Sequence, residues 1–360
     1  PPPPPPPPPP PRPLPPPPPP IPNIRPEVPG RIIAPLVAQR MGLMTMGTFH
    51  QRRGDRSLLD ATGAPIYFGP GMQGDTEQEG AATSSAIWSR VFGARSDLGA
   101  NATLNIAGYA IGPQFDGNYW GLQIGSDIAE IEHDNGHVDR FGVFYTHANA
   151  SGDTSGNILG RSSIAAGTLD LNEDSFAVYW TNLSANGWYL DVVAKYGWLN
   201  GDSQSNRGIS SDIDGTTFAV SMETGVPFSL SDRWTIEPQA QLIWQNVRLD
   251  DAQDRFADIS NEPFDAFTGR LGARLQYTTE QGYIHFGGNL WHGFSAEQTV
   301  KFNEFPLTTE IGGTWLEVNA GGAYQLSENL SLFGDVSYSF DVDGAKNNMI
   351  GGQIGLRLKF

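Results

Sequence analysis

The chain has 360 residues, with 39 acidic against 22 basic side chains, a net charge of −17 and no cysteine. That balance excludes the basic footprint of a nucleic-acid binder, and the lack of thiols excludes disulfides, thiolate metal sites and cysteine nucleophiles. Charged residues make up only 17% of the chain, below the roughly 25% of soluble domains, and no run approaches the roughly 18 apolar residues of a membrane helix, so a β-barrel is the membrane fold left open.

Residues 1–20 are proline apart from Arg12 and Leu14, and 21 of the 29 prolines fall in the first 29 positions. Each ring fixes φ and removes a donor, so this stretch is a polyproline II spacer rising about 3.1 Å per residue. Docking of a proline-recognising module is the alternative use. No charged n-region and apolar h-region precede it, so the chain is expected to start in mid-linker, as a fragment of something larger. Residues 1–30 are assigned to this linker. Residues 31–59 are the one long helix expected, with Pro35 in its first turn and Leu36, Val37, Arg40, Met41, Leu43 and Met44 along it. Gly42, Gly47 and Gly54 weaken it, and His50, Gln51, Arg52, Arg53 and Arg56 form a basic stretch at its end. Residues 60–87 are left as a connector.

From Trp88 onward the apolar period becomes two. Leu190, Val192, Ala194 and Tyr196 alternate with Tyr189, Asp191, Val193 and Lys195; Leu271 and Leu275 alternate with Arg270 and Arg274; Leu242 and Trp244 oppose Glu237, Gln239 and Gln241. Twelve such segments are expected, at 88–95, 119–132, 138–148, 173–184, 187–198, 217–224, 234–247, 267–278, 283–292, 314–325, 330–340 and 349–360. Connections after even-numbered segments are short, those after the first, third, fifth, seventh and ninth are long (96–118, 149–172, 199–216, 248–266 and 293–313), and the last, 341–348, is shorter. A soluble sandwich gives no reason for that asymmetry, whereas an outer-membrane barrel has short periplasmic turns and long external loops. Trp88, Trp188, Trp234, Trp315, Tyr119, Trp120, Trp198, Trp244 and Trp291 sit at segment ends, where a bilayer protein carries its aromatic girdles. The polar face puts Asp191, Lys195, Glu237, Arg270, Arg274, Glu317 and Asp335, with Arg357 and Lys359, in a lumen. Twelve strands lie between the filled eight-stranded barrel and the open channel of about 16, and a helix about 10–12 Å across fits such a bore. The expected fold is therefore all-β, a twelve-stranded antiparallel transmembrane β-barrel at 88–360 with an N-terminal helix in the pore. Arg40, Met41, Met44, His50, Arg52 and Arg53 are its pore-helix residues.

In this order the proline-rich linker, Arg25-Pro26-Glu27-Val28-Pro29, the helix leading into His50-Gln51-Arg52-Arg53-Gly54-Asp55, Trp88-Ser89-Arg90, Phe115-Asp116-Gly117 and Gly121-Leu122-Gln123-Ile124-Gly125-Ser126-Asp127 are similar to the C-terminal translocator of autotransporters. These are the type V secretion proteins of Gram-negative bacteria, and the resemblance covers essentially the whole chain. It implies a barrel that anchors in the bacterial outer membrane, with a helix through its pore, and that exports or displays an upstream passenger. It also implies the periplasmic chaperones, the barrel-assembly machinery, the lipid bilayer and lipopolysaccharide as partners of a monomer. The C-terminal Gln353, Gly355, Leu358 and Phe360 match the family's assembly signal, the β-signal. Some relatives cut their passenger free through a helix asparagine, but no Asn lies between Asn23 and Asn101 here, so that route is not expected.

Chemistry is expected to be absent, and no cofactor, metal or catalytic residue is assigned. His133, Asp134 and His137 suggest a metal site, yet Asn135-Gly136 marks a two-residue hairpin turn instead. In Gly54-Asp55-Arg56-Ser57-Leu58 the serine is displaced from a lipolytic motif by Arg56, and no G-x-S-x-G, phosphate-loop or dinucleotide fingerprint occurs. Asp250, Asp251, Asp254, Asp258, Glu262 and Asp265 make one external loop acidic, a solvated loop rather than a cation bridge. A barrel hydrolase and a diffusion porin are the alternative functions.

Overall fold

A computed structural model describes residues 23–53, 86–104 and 109–359. Twelve long strands follow two helices: β1 (Ala86–Gly99), β2 (Gln114–Glu132), β3 (Val138–Ile158), β4 (Arg161–Leu183), β5 (Tyr189–Ser205), β6 (Ser210–Gly225), β7 (Trp234–Leu249), β8 (Phe264–Thr278), β9 (Gly282–Phe302), β10 (Phe305–Gln325), β11 (Leu330–Gly344) and β12 (Asn347–Lys359). Each pairs antiparallel with the next, and β12 returns to β1 from Ala86 opposite Lys359 to Leu98 opposite Asn347, closing the barrel. The twelve expected segments each fall on one of these strands.

The strands run further outward than expected. The 149–172 connection is almost entirely β3 and β4, joined by a two-residue turn in which Leu159 (φ 52°) and Gly160 (φ 68°) both have positive φ, as a type I′ turn requires. The 199–216 and 293–313 connections likewise continue β5–β6 and β9–β10. Inward and outward residues still alternate along these extensions, interrupted by irregularities between Thr154 and Ile158 and between Gly293 and Ala296. Across the second of these the inward positions of β9 pass from odd (Trp291) to even (Gln298, Val300). The chemistry of the two faces inverts. Within the lipid band Phe176 and Val178 of β4 face outward and Glu173 and Ser175 inward; above it Leu169 and Leu171 are buried inside while Asp170 and Asn172 face out. A search for apolar residues on the lipid side loses such a strand where lipid stops.

Two short strands protect the edges that these extensions create. β11 stops opposite Gly313, so the outer part of β10 lacks a neighbour, and Asn101–Leu104 from the β1–β2 connection pairs with Leu307–Glu310. On the other side Asp258–Asn261 pairs with Val300–Phe302 of β9. At the opposite end the connections are short. The turn between His133 and His137 encloses three residues, not two, with Gly136 at φ 77°, and the turn between Ser184 and Trp188 repeats it with Gly187 at φ 83°.

The pore helix begins four residues before the expected Arg31 and breaks once: α1 covers Glu27–Met46 and α2 covers Phe49–Arg53. Pro35 is inside α1 rather than in its first turn. An interior proline removes the bond to the carbonyl four residues back, and packing on every side outweighs that loss. Every residue of α1 except Met44 is buried, which is why this helix has no polar face to betray it in sequence. The 54–59 end of the expected helix, and the connector apart from Ala86 and Ile87, lie outside the described residues.

Candidate functional site

The site is the pore with α1 and α2 inside it. At the external mouth Arg207, in the β5–β6 turn, forks onto Glu27 (2.5 and 3.2 Å), and Arg25 reaches Asp254 at 3.5 Å. Both guanidinium groups lie over the Phe256 ring, at 5.1 and 5.5 Å. The Leu159 amide, at the tip of the β3–β4 hairpin, donates to the Ile24 carbonyl. Three connections thus grip the chain where it leaves the barrel.

Below the mouth is an apolar collar. Ile33, Val37 and Met41 pack against Leu169, Leu171, Ile213, Val247 and Phe264, all from strand parts that extend past the lipid band. Val28 and Ile32 meet Ile259, Val300, Phe302 and Leu307 higher up. Burying each such side chain contributes about 1.5–3 kcal/mol. Gly30 and Gly42 allow the close fit, since a Cβ there would come within 2.2 Å of Ser203 Oγ and Gln245 Nε2.

The periplasmic half is polar and paired. Lys195 Nζ donates to Glu173 (2.6 Å) and to Thr45 Oγ1 (2.5 Å), all three groups being buried. Arg52 forms an ion pair with Asp191, which also accepts from Thr181 (2.6 Å). His50 Nε2 is 2.7 Å from Glu237, and the Phe49 amide donates to Glu223 (2.9 Å), a carboxylate shared with Arg270 (2.9 Å) and the Tyr189 hydroxyl (2.8 Å). Phe49 stacks on Tyr189 at 4.5 Å. The last carbonyls of a helix lack internal donors, and here the wall supplies them. Arg90 of β1 donates to the Met44 carbonyl (3.2 Å), Gln123 of β2 to Thr45 (2.5 Å) and Gln241 of β7 to Gly47 (3.0 Å). Gly47, at φ 60°, turns the chain there. The cation of Arg90 also complements the negative end of the helix.

Of the charged residues assigned to the lumen, Asp191, Lys195, Glu237, Arg270, Arg274 and Arg357 are buried, and Glu317 and Asp335 line the space beside the helix. Arg274 lies over Tyr283 at 4.9 Å, Glu317 accepts from Asn289 (2.7 Å), and Asp335 accepts from Gln353 (2.5 Å). Of the pore-helix residues, Arg40 lies over Trp315 at 4.4 Å, Met41 is in the collar, and Met44, His50 and Arg52 occupy the polar half. Arg53 closes α2, its side chain outside the described set. A cavity of about 90 Å³ remains beside the helix, between Arg40, Met44, Arg90, Trp315, Glu317 and Asp335. Of the C-terminal residues Gln353 faces the lumen, Leu358 faces out, Gly355 lies under the Phe333 ring, and Phe360 is outside the described residues.

The aromatic girdle is only partly realised. Trp120, Trp198 and Trp234 face outward, but Trp88, Trp291, Trp315 and Tyr119 are buried inside. Trp291 and Trp315 stack at 5.8 Å beneath Arg40, and Trp88 donates to Tyr179. Parity held the signal: Ile87 and Val91 face lipid, so Trp88 between them faces in. The same parity places the Glu173 and Glu223 carboxylates and the Arg90 guanidinium in the pore, three groups that charge alone left unassigned. The histidines pair locally, His133 with Asp139 (2.7 Å), His137 with Asn182 (3.0 Å) and His147 with Asp174 (2.9 Å).

Residues 87–337 match the family model described as Autotransporter beta-domain. Among curated proteins, the Adhesin BmaC autotransporter of Brucella suis biovar 1 is 25% identical over 88% of this chain, which spans 9% of that protein. The Pertactin autotransporter of Bordetella parapertussis is 27% identical over 71% of the chain, which covers 27% of it. The chain thus corresponds to a small part of these relatives. Among solved structures, the transport unit of the autotransporter AIDA-I from Escherichia coli superposes with a TM-score of 0.69 at 18% identity, covering 94% of this chain and all of that one.

Proposed function

Because the chain belongs to the autotransporter β-domain family, we propose that residues 27–53 are the stretch that stays in the pore once an N-terminal passenger has been carried outward. The barrel belongs to the outer membrane and exports that passenger; the family is one of transport units rather than catalytic folds. The work proposed for it is transport and anchoring without covalent chemistry. One observation carries the pore reading: the carbonyls of Met44, Thr45 and Gly47 accept from three different strands, so the segment is seated at a defined depth rather than lodged loosely. Its N-terminus lies by the extended hairpins, and its C-terminus lies by the short turns that face the periplasm. Residues 23–26, before α1, then lie on the outer side, and β1 starts at the periplasmic end. Planar-bilayer recordings of the full chain and of a chain lacking residues 27–53 test this. Small, rare openings for the first and a steady larger conductance for the second are expected; equal conductance would overturn it.

Gln353, Gly355, Leu358 and Phe360 are proposed as the signal read by the assembly machinery, after periplasmic chaperones have delivered the unfolded strands. Deleting Phe360 should lower the yield of folded barrel in cells while the purified chain still refolds in micelles. Unchanged assembly in cells would contradict the role.

A further inference from the structure

Gln353 lies on the last strand, at the seam where β12 meets β1, and its side chain is engaged on every side. Its Oε1 accepts from Arg90 Nη1 (2.5 Å) on β1, and its Nε2 donates to Asp335 of β11 (2.5 Å) and to the Gln51 carbonyl of α2 (3.0 Å). Arg90 uses its remaining nitrogens on Gln123 of β2 (2.5 Å) and on the Met44 carbonyl at the end of α1 (3.2 Å). Two side chains therefore link four consecutive strands across the seam and hold the pore segment on both sides of its break at Gly47.

We propose that Gln353 and Arg90 are positioning residues that couple closure of the last seam to seating of the pore segment. This deepens the pore reading above and rests on it. If the seam closes around an empty pore, Arg90 and Gln353 exchange the Met44 and Gln51 carbonyls for water in the open lumen. If the segment is seated while the seam is open, Arg90 loses Gln353. Each such bond made inside the finished protein is favoured over its hydrated alternative, and more so for the charged Arg90 than for a neutral donor. The two events thus stabilise one another, and the finished state is reached most favourably with the barrel closed on its own chain. Gln353 acts here within the folded product, a role separate from recognition by assembly factors.

Hydrogen exchange read by mass spectrometry tests this on the full chain refolded in detergent micelles, with no cellular machinery present. Gln353→Ala should speed exchange about tenfold in the peptide spanning 44–53 as well as in β12. In the reverse direction Glu237→Ala, which removes the β7 partner of His50 on the wall opposite the seam, should speed exchange in β12 and β1. Combined, the two changes should fall short of the product of their separate effects. Faster exchange confined to β12 and β1 in Gln353→Ala would overturn the coupling, and so would no change in either region. Arg90→Lys is the second variant should Gln353→Ala fail to fold. A lysine keeps the charge but cannot span Gln123, Gln353 and Met44 together, so the same two regions should loosen. Rapid exchange of 44–53 already in the unaltered chain would overturn the pore reading, and the coupling with it, which a normal wild-type pattern with unlinked variants would not.

Discussion

Lys195 and Glu173 are both almost inaccessible, and each is the main neutralising partner of the other, with Thr45 of the helix as a third member. Removing one member of a buried pair leaves an uncompensated charge and costs roughly 3–5 kcal/mol, whereas removing both together is often close to neutral. Lys195→Met should therefore lower the temperature at which the purified barrel loses its compact gel mobility, and Lys195→Met with Glu173→Met should recover most of the loss. At Gly355 a Cβ would come within 2.2 Å of the Phe333 ring and 2.6 Å of the Ser89 carbonyl oxygen. Overpacking of that kind costs about 1–3 kcal/mol, so Gly355→Ala should destabilise the refolded barrel in micelles. A glycine that mattered only as a recognition mark would leave that measurement unmoved. Alternation gave Asp191, Lys195 and Arg270 the face opposite lipid, where they are buried, but Glu173, Glu223 and Arg90 on the same face went unassigned. The four inward aromatics were not legible, because their position at strand ends was weighed ahead of their parity.

The helix and the strand extensions form one device at the scale of elements. Apolar side chains ring α1 near the outside and polar ones hold it near the periplasm, so the seal and the axial stop are separate. Val37 is fully buried in the collar, with the barrel wall complete around it. Val37→Asp should leave the closed barrel intact on gels, because no strand pairing is touched. It should raise the frequency of open events in bilayer recordings, and unaltered gating would show that the collar does not form the seal. At the mouth, Arg207 is half-exposed but its partner Glu27 is buried, so Arg207→Glu sets two carboxylates together and should loosen residues 23–27, most strongly in low salt. Hydrogen exchange of residues 23–27 in low salt checks this, and protection equal to that of the unaltered chain would contradict it. The existence and order of the twelve strands were legible from the period of two. Their outer thirds were not, because there the apolar residues move to the lumen side and the outward positions become polar. The start of α1 was obscured for a related reason. A helix enclosed on all sides needs no periodicity, and its prolines and glycines are tolerated by the wall that surrounds them.

For the molecule as a whole, the low fraction of charge and the proline-rich start have a common origin. Half of each strand faces lipid, as Leu271 and Val336 do at 64% exposure, which dilutes charge across the sequence. The charges that remain are held in the lumen, the turns and the external hairpins. Residues 23–26, just before α1, lie on the side of the extended hairpins, and the proline-rich sequence upstream of them has the composition of a spacer rising about 3.1 Å per residue. Everything proposed for this protein depends on that orientation. The chain has no native cysteine, so single cysteines report it cleanly. In intact cells producing the full chain, Asn23→Cys should react with a membrane-impermeant maleimide, while Ala185→Cys, in the turn between β4 and β5, should react only after the outer membrane is permeabilised. Labelling of Ala185→Cys in intact cells with Asn23→Cys protected would invert the barrel and contradict export through it.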